Sequence, residues 1–237
     1  MRFILFVTLF FAFTSSRGFA ATIKQELASP VTTNAATYFW SGTAATVFLF
    51  LTQDQISDPV SRDLSLHKPL GDASKIGDLY GQVIPNAAYT LGMLGHSYFA
   101  KNEISGKRAE LMFKATLYAG LTATVLKYTV REPRPDNIQE KNSFPSGHTT
   151  TAFAFASVVA VEHEWYWGAP ALALAALTGV SRMNDGRHFL IDVVAGMTIG
   201  ASYGLGVCYA NKGQGTNVSF APIIDHQTAG MRMVGNF

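Results

Sequence analysis

Pro145-Ser146-Gly147-His148 interrupts the chain and opens an apolar run from Thr149 to Val161. Proline cannot continue a helix, and Ser146-Gly147 suits a helix start, where backbone N–H groups point outward without intrahelical acceptors. Upstream stands Lys127 and, after six residues, Arg134-Pro135. Downstream stands Ser181-Arg182, followed after five residues by His188 and after three more by Asp192. The apolar segments around these clusters are Ala109–Tyr128, Thr149–Val161, Ala169–Ser181 and His188–Ala210. All are of helical length and none alternates with period two, so the expected fold class is all-α.

The clusters carry a definite chemistry. His188 and Asp192 are four residues apart, so on a helix they share a face and can touch. A carboxylate bonded to one ring nitrogen fixes the tautomer and leaves the other nitrogen's lone pair free, which makes His188 a candidate nucleophile. His148, at a helix start, is placed to give a proton to a leaving group. Lys127, Arg134 and Arg182 are three cations in mostly apolar surroundings, and Asp192 is already claimed by His188. Cations without matching acids call for an anionic ligand of high charge density. Phosphate fits, because the forked guanidinium matches its oxygens and the Ser146-Gly147 helix start adds N–H donors and a positive dipole end. The reading is phosphoryl transfer through a histidine intermediate: His188 attacks phosphorus, His148 protonates the departing oxygen, and the cations stabilise the charge. No cofactor and no metal is expected, since the cations supply the charge and no carboxylate cluster is placed to hold an ion.

The three clusters resemble the three-part signature of the type 2 phosphatidic acid phosphatase superfamily, and every one of its fixed positions is matched. The resemblance covers roughly Lys127 to Gly204 by motif, and the helix order extends it over most of the chain. It implies a six-helix bundle that hydrolyses a phosphomonoester or pyrophosphate without a metal. By position it implies that Lys127, Arg134 and Arg182 bind phosphate, with Ser146 and Gly147 contacting it through the loop. His148 would be the acid, His188 the nucleophile and Asp192 its orienter. The superfamily includes lipid phosphatases, soluble bacterial acid phosphatases, glucose-6-phosphatase and vanadium haloperoxidases. The leading expectation is a lipid phosphate substrate. Small soluble esters are the alternative, with a vanadate-dependent haloperoxidase and an inactive envelope scaffold behind them.

The rest of the sequence bounds these readings. Of 237 residues, 48% are hydrophobic and 14% charged, which excludes a disordered chain. A single cysteine, Cys208, excludes an intrachain disulfide framework or a cysteine-based zinc site. A net charge of +2 without a Lys/Arg run argues against nucleic acid as a partner. The mean hydropathy of +0.16 sits between a soluble globule and a polytopic membrane protein. Met1-Arg2, the apolar stretch Phe3–Phe13 and Gly18-Phe19-Ala20-Ala21 have the order of a secretory signal, with cleavage after Ala20. The expected organisation is then a signal at 1–20, a phosphatase domain at 21–211 and a tail at 212–237.

Ile23–Pro30 reads as a polar arm, Thr32–Leu51 as the first helix, and Thr52–Lys75 as a loop with room for a short amphipathic helix. Leu79–Ala100 reads as a second helix interrupted by Pro85, and Lys101–Arg108 as a charged connection. The tail alternates from Val218 to Ile224 and could return over Met231–Phe237 as a hairpin, or fray. His67, His96, His163 and His226 read as ordinary packed or exposed histidines, and Arg131 and Glu132 as solvated or rim charges. Arg187 is a candidate for substrate contact. Trp165-Tyr166-Trp167 reads either as a membrane-interface belt or as the packed end of a helix pair. An exported envelope protein with a periplasmic site and membrane contact is the expected location, and an integral inner-membrane enzyme with its site facing the periplasm is the alternative.

Overall fold

The computed structural model describes residues 21–214 and two tail strands at 218–225 and 228–235. The expected export signal lies outside the described residues. Among the described residues there are nine α-helices where six were expected: α1 (Ile23–Thr32), α2 (Ala36–Leu51), α3 (Asp58–His67), α4 (Ser74–Gly81), α5 (Val83–Ala100), α6 (Glu103–Val130), α7 (Gly147–Glu162), α8 (Trp165–Asn184) and α9 (Leu190–Asn211). Strands β1 (Val218–Asp225) and β2 (Thr228–Gly235) pair antiparallel, with Val218 opposite Gly235 and Asp225 opposite Thr228. The second strand thus begins three residues before Met231.

The extra helices come from the N-terminal half. The segment read as an arm is helix α1, started by a capping box in which the Thr22 hydroxyl accepts from the Gln25 N–H and the Gln25 side chain returns a bond to the Thr22 N–H. Its one acid is internal: Glu26 is fully buried and accepts from Lys114 Nζ at 2.7 Å, Tyr118 Oη at 2.9 Å and Asn211 Nδ2 at 3.0 Å. The stretch read as a loop holds a π turn at Gln53–Ser57, α3, a 3-10 turn at Gly71–Ala73 and the start of α4. Extended backbone at Gln82, rather than Pro85, separates α4 from α5. Pro85 is the third residue of α5, where a missing N–H loses no intrahelical bond. Most of the charged connection belongs to α6, whose start is capped by the Asn102 side chain bonding the Ser105 N–H.

What positions the site is the antiparallel run of α6, α7 and α8, followed by α9 laid parallel on α7. Helix α9 presents Gly196, Gly200 and Gly204 at four-residue spacing. A Cβ at Gly196 would sit 2.5 Å from the Ser146 carbonyl oxygen, and one at Gly204 would sit 2.6 Å from Ser157 Cβ. Only glycine permits this approach. Alternation of direction then gathers the C-terminal ends of α6 and α8 and the N-terminal ends of α7 and α9 at one end of the bundle. The core behind them contains Leu111, Met112, Ala152, Val158, Ala175 and Val207. By length and composition α9 is the one helix among the described residues apolar enough to cross a membrane, and 67% of its most apolar window is buried inside the protein.

Candidate active site

The gathered helix ends bring together the residues singled out by the sequence. Lys127 lies near the end of α6, Arg134 follows on the loop, His148 is the second residue of α7, Arg182 lies in the last turn of α8, and His188 and Asp192 flank the start of α9. His188 does not share a helical face with Asp192 as expected, because α9 begins at Leu190. Asp192 is the third residue of α9, and its Oδ2 accepts from the Phe189 N–H at 2.9 Å, capping the helix. The chain before the cap folds back so that His188 Nδ1 lies 3.4 Å from the same oxygen. Ser143, which the sequence reading missed, donates to Asp192 Oδ2 at 2.5 Å and lies 3.3 Å from His188 Nδ1. With Nδ1–H held toward the carboxylate, the lone pair is on Nε2.

His188 is 3% exposed and Asp192 fully buried. Burial lowers the imidazole's pKa, and nearby Lys127 and Arg134 lower it further, while Asp192 opposes them. The ring is therefore neutral near pH 7, as a nucleophile must be.

Helix α9 is itself held from outside. The Leu190 N–H donates to Ser61 Oγ at 2.8 Å and the Ile191 N–H to Ser57 Oγ at 3.2 Å. These buried serines, one on α3 and one just before it, satisfy two first-turn N–H groups that have no intrahelical acceptor.

Lys127 Nζ donates to the carbonyls of Asn142 at 2.6 Å and Ser143 at 3.2 Å. Burial and the neighbouring Arg134 bring its pKa down to about 8. Arg134 Nε donates to Asn142 Oδ1 at 2.6 Å. Ser146 caps α7: its Oγ accepts from the Thr149 N–H, and its own N–H donates to the Asp192 carbonyl at 3.0 Å. Ser146 is thus committed to the scaffold, and the N–H groups of Gly147 and His148 form the outward-pointing end of the helix. Lys127 reaches this end, since a Cβ on Gly147 would lie 3.8 Å from Lys127 Cε.

His148 meets an acid the sequence reading did not single out. Its Nε2 lies 3.4 Å from Asp78 Oδ1, and the same oxygen accepts a short hydrogen bond from Arg182 Nη1. Arg182 is buried, and its Nε has no hydrogen-bond partner among the described residues. Burial, then Arg182, brings the His148 pKa down to about 4, against the upward pull of Asp78. The one local signal for Asp78 is its place in the Gly77-Asp78-Leu79-Tyr80-Gly81 stretch, where two glycines four residues apart flank an acid.

Other expectations change. Glu132 is half-buried rather than solvated, and burial, with Asp192 and Asp58 nearby, lifts its pKa to about 7. Arg187 is paired with Asp136 at 2.6 Å. Trp165, Tyr166 and Trp167 are all exposed, so they are not the packed end of a helix pair. His163, by contrast, is the ordinary packed histidine expected, 2.7 Å from Tyr89 Oη. Among the described residues no group of three or more histidine, cysteine or acidic side chains is arranged to hold a metal ion.

The sequence pattern of the PAP2 superfamily matches residues 111–215. A lipid A 1-phosphatase of Porphyromonas gingivalis is 33% identical over 131 residues, which is 54% of this chain and 29% of that protein. A lipid A 1-phosphatase of Rhizobium etli is 31% identical over 118 residues, covering 43% of this chain and 50% of that protein. The chain therefore spans half or less of the length of these curated relatives. Among solved structures, a transmembrane PAP2 type phosphatidylglycerolphosphate phosphatase from Bacillus subtilis superposes with a TM-score of 0.51 at 20% identity, over 75% of this chain and 94% of that one. That likeness is one of fold. The match over residues 111–215 takes in every motif residue from Lys127 to Asp192.

Proposed function

We propose that this protein is a phosphatase that removes a phosphoryl group from a lipid through a phosphohistidine on His188. The carrying observation is the convergence at one bundle end of a buried, carboxylate-held imidazole, a second imidazole and three cations. In the first step the His188 Nε2 lone pair attacks phosphorus and the bond to the leaving oxygen breaks. His148 gives that oxygen its proton, while Lys127, Arg134, Arg182 and the N–H groups of Gly147 and His148 hold the equatorial oxygens. In the second step water attacks phosphorus while His148 takes its proton, the phosphorus–nitrogen bond breaks with its electron pair returning to His188 Nε2, and inorganic phosphate leaves. The proton logic is consistent: the cations that depress His148 are neutralised by a bound phosphate dianion, so substrate binding favours the protonated acid.

Two features support a lipid as substrate. The relatives above are named for lipid A. On this chain, α5 and α6 enclose an apolar groove of about 360 Å³, lined by Val83, Leu91, Phe113, Leu117 and Leu121. Its Val83 end lies two residues from Gly81, which packs on His148. Exposed apolar side chains on α2 and α6, among them Phe50, Leu51, Leu121 and Val125, suit contact with a membrane in the cell envelope.

The test is release of inorganic phosphate in EDTA from a long-chain lipid phosphate and from a short soluble ester. The expected result is turnover of both, faster on the lipid, and its loss in His188→Ala. Activity retained in His188→Ala overturns the nucleophile. Equal rates on the two esters favour a broad-specificity acid phosphatase.

A further inference from the structure

Helix α4 is clamped to the site by its small face. A Cβ on Gly77 would lie 2.5 Å from Ser181 Oγ, and one on Gly81 would lie 2.7 Å from both His148 Cβ and Thr178 Cγ2. Thr178 Oγ1 donates to the Gly77 carbonyl at 3.0 Å, tying α4 to α8 one turn before Arg182. This docking carries Asp78, the residue after Gly77, to the point where α7 begins and α8 ends. A salt link serving only to hold α4 on α8 would need Arg182 alone. Here a single carboxylate oxygen faces both Arg182 Nη1 and His148 Nε2.

We propose that Asp78 is a positioning residue of the reaction, whose carboxylate holds the His148 imidazole on the leaving-group side. The inference rests on the phosphatase reading. Its chemical sense is electrostatic. His148 faces Arg182 from α8, Arg134 from the loop and His188 before α9, all of which oppose a second positive charge. Asp78, from α4, favours the protonated ring, and a general acid without its proton is of no use to an alkoxide leaving group. Bound between a carboxylate and the reacting phosphate, the ring is also confined to one orientation.

The experiment uses Asp78→Asn, which keeps the shape and removes the charge, with Asp78→Ala as a second variant. Turnover of an alkyl phosphate, which needs a proton on its leaving oxygen, is expected to fall at least about ten-fold in both variants. Turnover of p-nitrophenyl phosphate, whose phenolate departs unprotonated, is expected to stay within about two-fold, and KM for both esters to change little. A parallel loss on both esters, or no loss on either, overturns the proposal. Titration of His148 by NMR in histidine-labelled protein gives a readout independent of turnover. The midpoint is expected to fall by about one pH unit in Asp78→Asn, and an unchanged midpoint also overturns the proposal. If wild-type protein hydrolyses neither ester, the phosphatase reading fails, while the titration still decides whether Asp78 acts on His148.

Discussion

Replacing Gly196 by alanine tests whether the contact between α7 and α9 sets the geometry of the site. The new Cβ would sit 2.5 Å from the Ser146 carbonyl oxygen and 3.2 Å from Thr149 Cβ and Thr150 Oγ1. Carbon and carbonyl oxygen approach no closer than about 3.3 Å, so the helices must part by roughly 0.8 Å. Overpacking of this kind costs about 1–3 kcal/mol, and the better helix propensity of alanine returns about 1 kcal/mol. The net loss of stability is therefore small, about 0–2 kcal/mol. The displacement, however, falls on Asp192 one turn earlier in α9 and on Ser146 to His148 at the start of α7. A misplacement near 1 Å in a catalytic constellation lowers turnover by about 10²-fold. Gly206→Ala is the control. Its Cβ meets a similar obstacle, Ser29 Oγ at 2.6 Å and the Ser29 carbonyl carbon at 2.9 Å, but about 21 Å farther along α9 than Asp192. Phosphate release and urea unfolding are measured on both variants. Gly196→Ala is expected to lose about 10- to 100-fold in turnover while remaining folded, and Gly206→Ala to stay within about two-fold. Equal effects in the two variants, or wild-type turnover in Gly196→Ala, would refute the argument that this contact aligns the site.

Ser61→Ala removes the acceptor for the Leu190 N–H, and loss of such a cap is expected to lower stability by about 1 kcal/mol, read as a lower urea midpoint. An unchanged midpoint would mean that Ser61 does not hold the start of α9. Glu132 has a folded-state pKa raised from 4.5 to about 7, so the folded protein holds its proton more tightly than the unfolded chain. Its contribution is fully present below pH 4.5 and lost as pH rises to about 7. Glu132→Gln is therefore expected to gain stability relative to wild type across that window in unfolding measured as a function of pH, and a constant difference between the two would contradict the burial argument.

The divide between what was legible in the sequence and what was not follows the range of the interactions. Lys127, Arg134, His148, Arg182, His188 and Asp192 could be read because each cluster is local and its chemistry does not depend on the fold. The helices carrying them could be read because their apolar runs are long. Helix α1 was hidden because Glu26 looks like a solvated charge until Lys114, Tyr118 and Asn211 are brought to it from 88, 92 and 185 residues away. Asp78 was hidden for the same reason, its Arg182 partner being 104 residues distant. The start of α9 was a different kind of miss. Asp192 was read only as a partner for His188, whereas it also caps the helix three residues after Phe189. These two tasks are physically linked. Capping fixes the carboxylate against the helix end, Ser143 adds a second donor, and the imidazole then has a rigid acceptor without being part of the helix. A histidine inside α9 would have a helical backbone and a side chain confined by neighbouring turns. Placed just before the cap, His188 is aimed by the turn while its tautomer is set by the helix. The separation explains how one short segment supplies both an orienting carboxylate fixed in the scaffold and a ring positioned to attack outward.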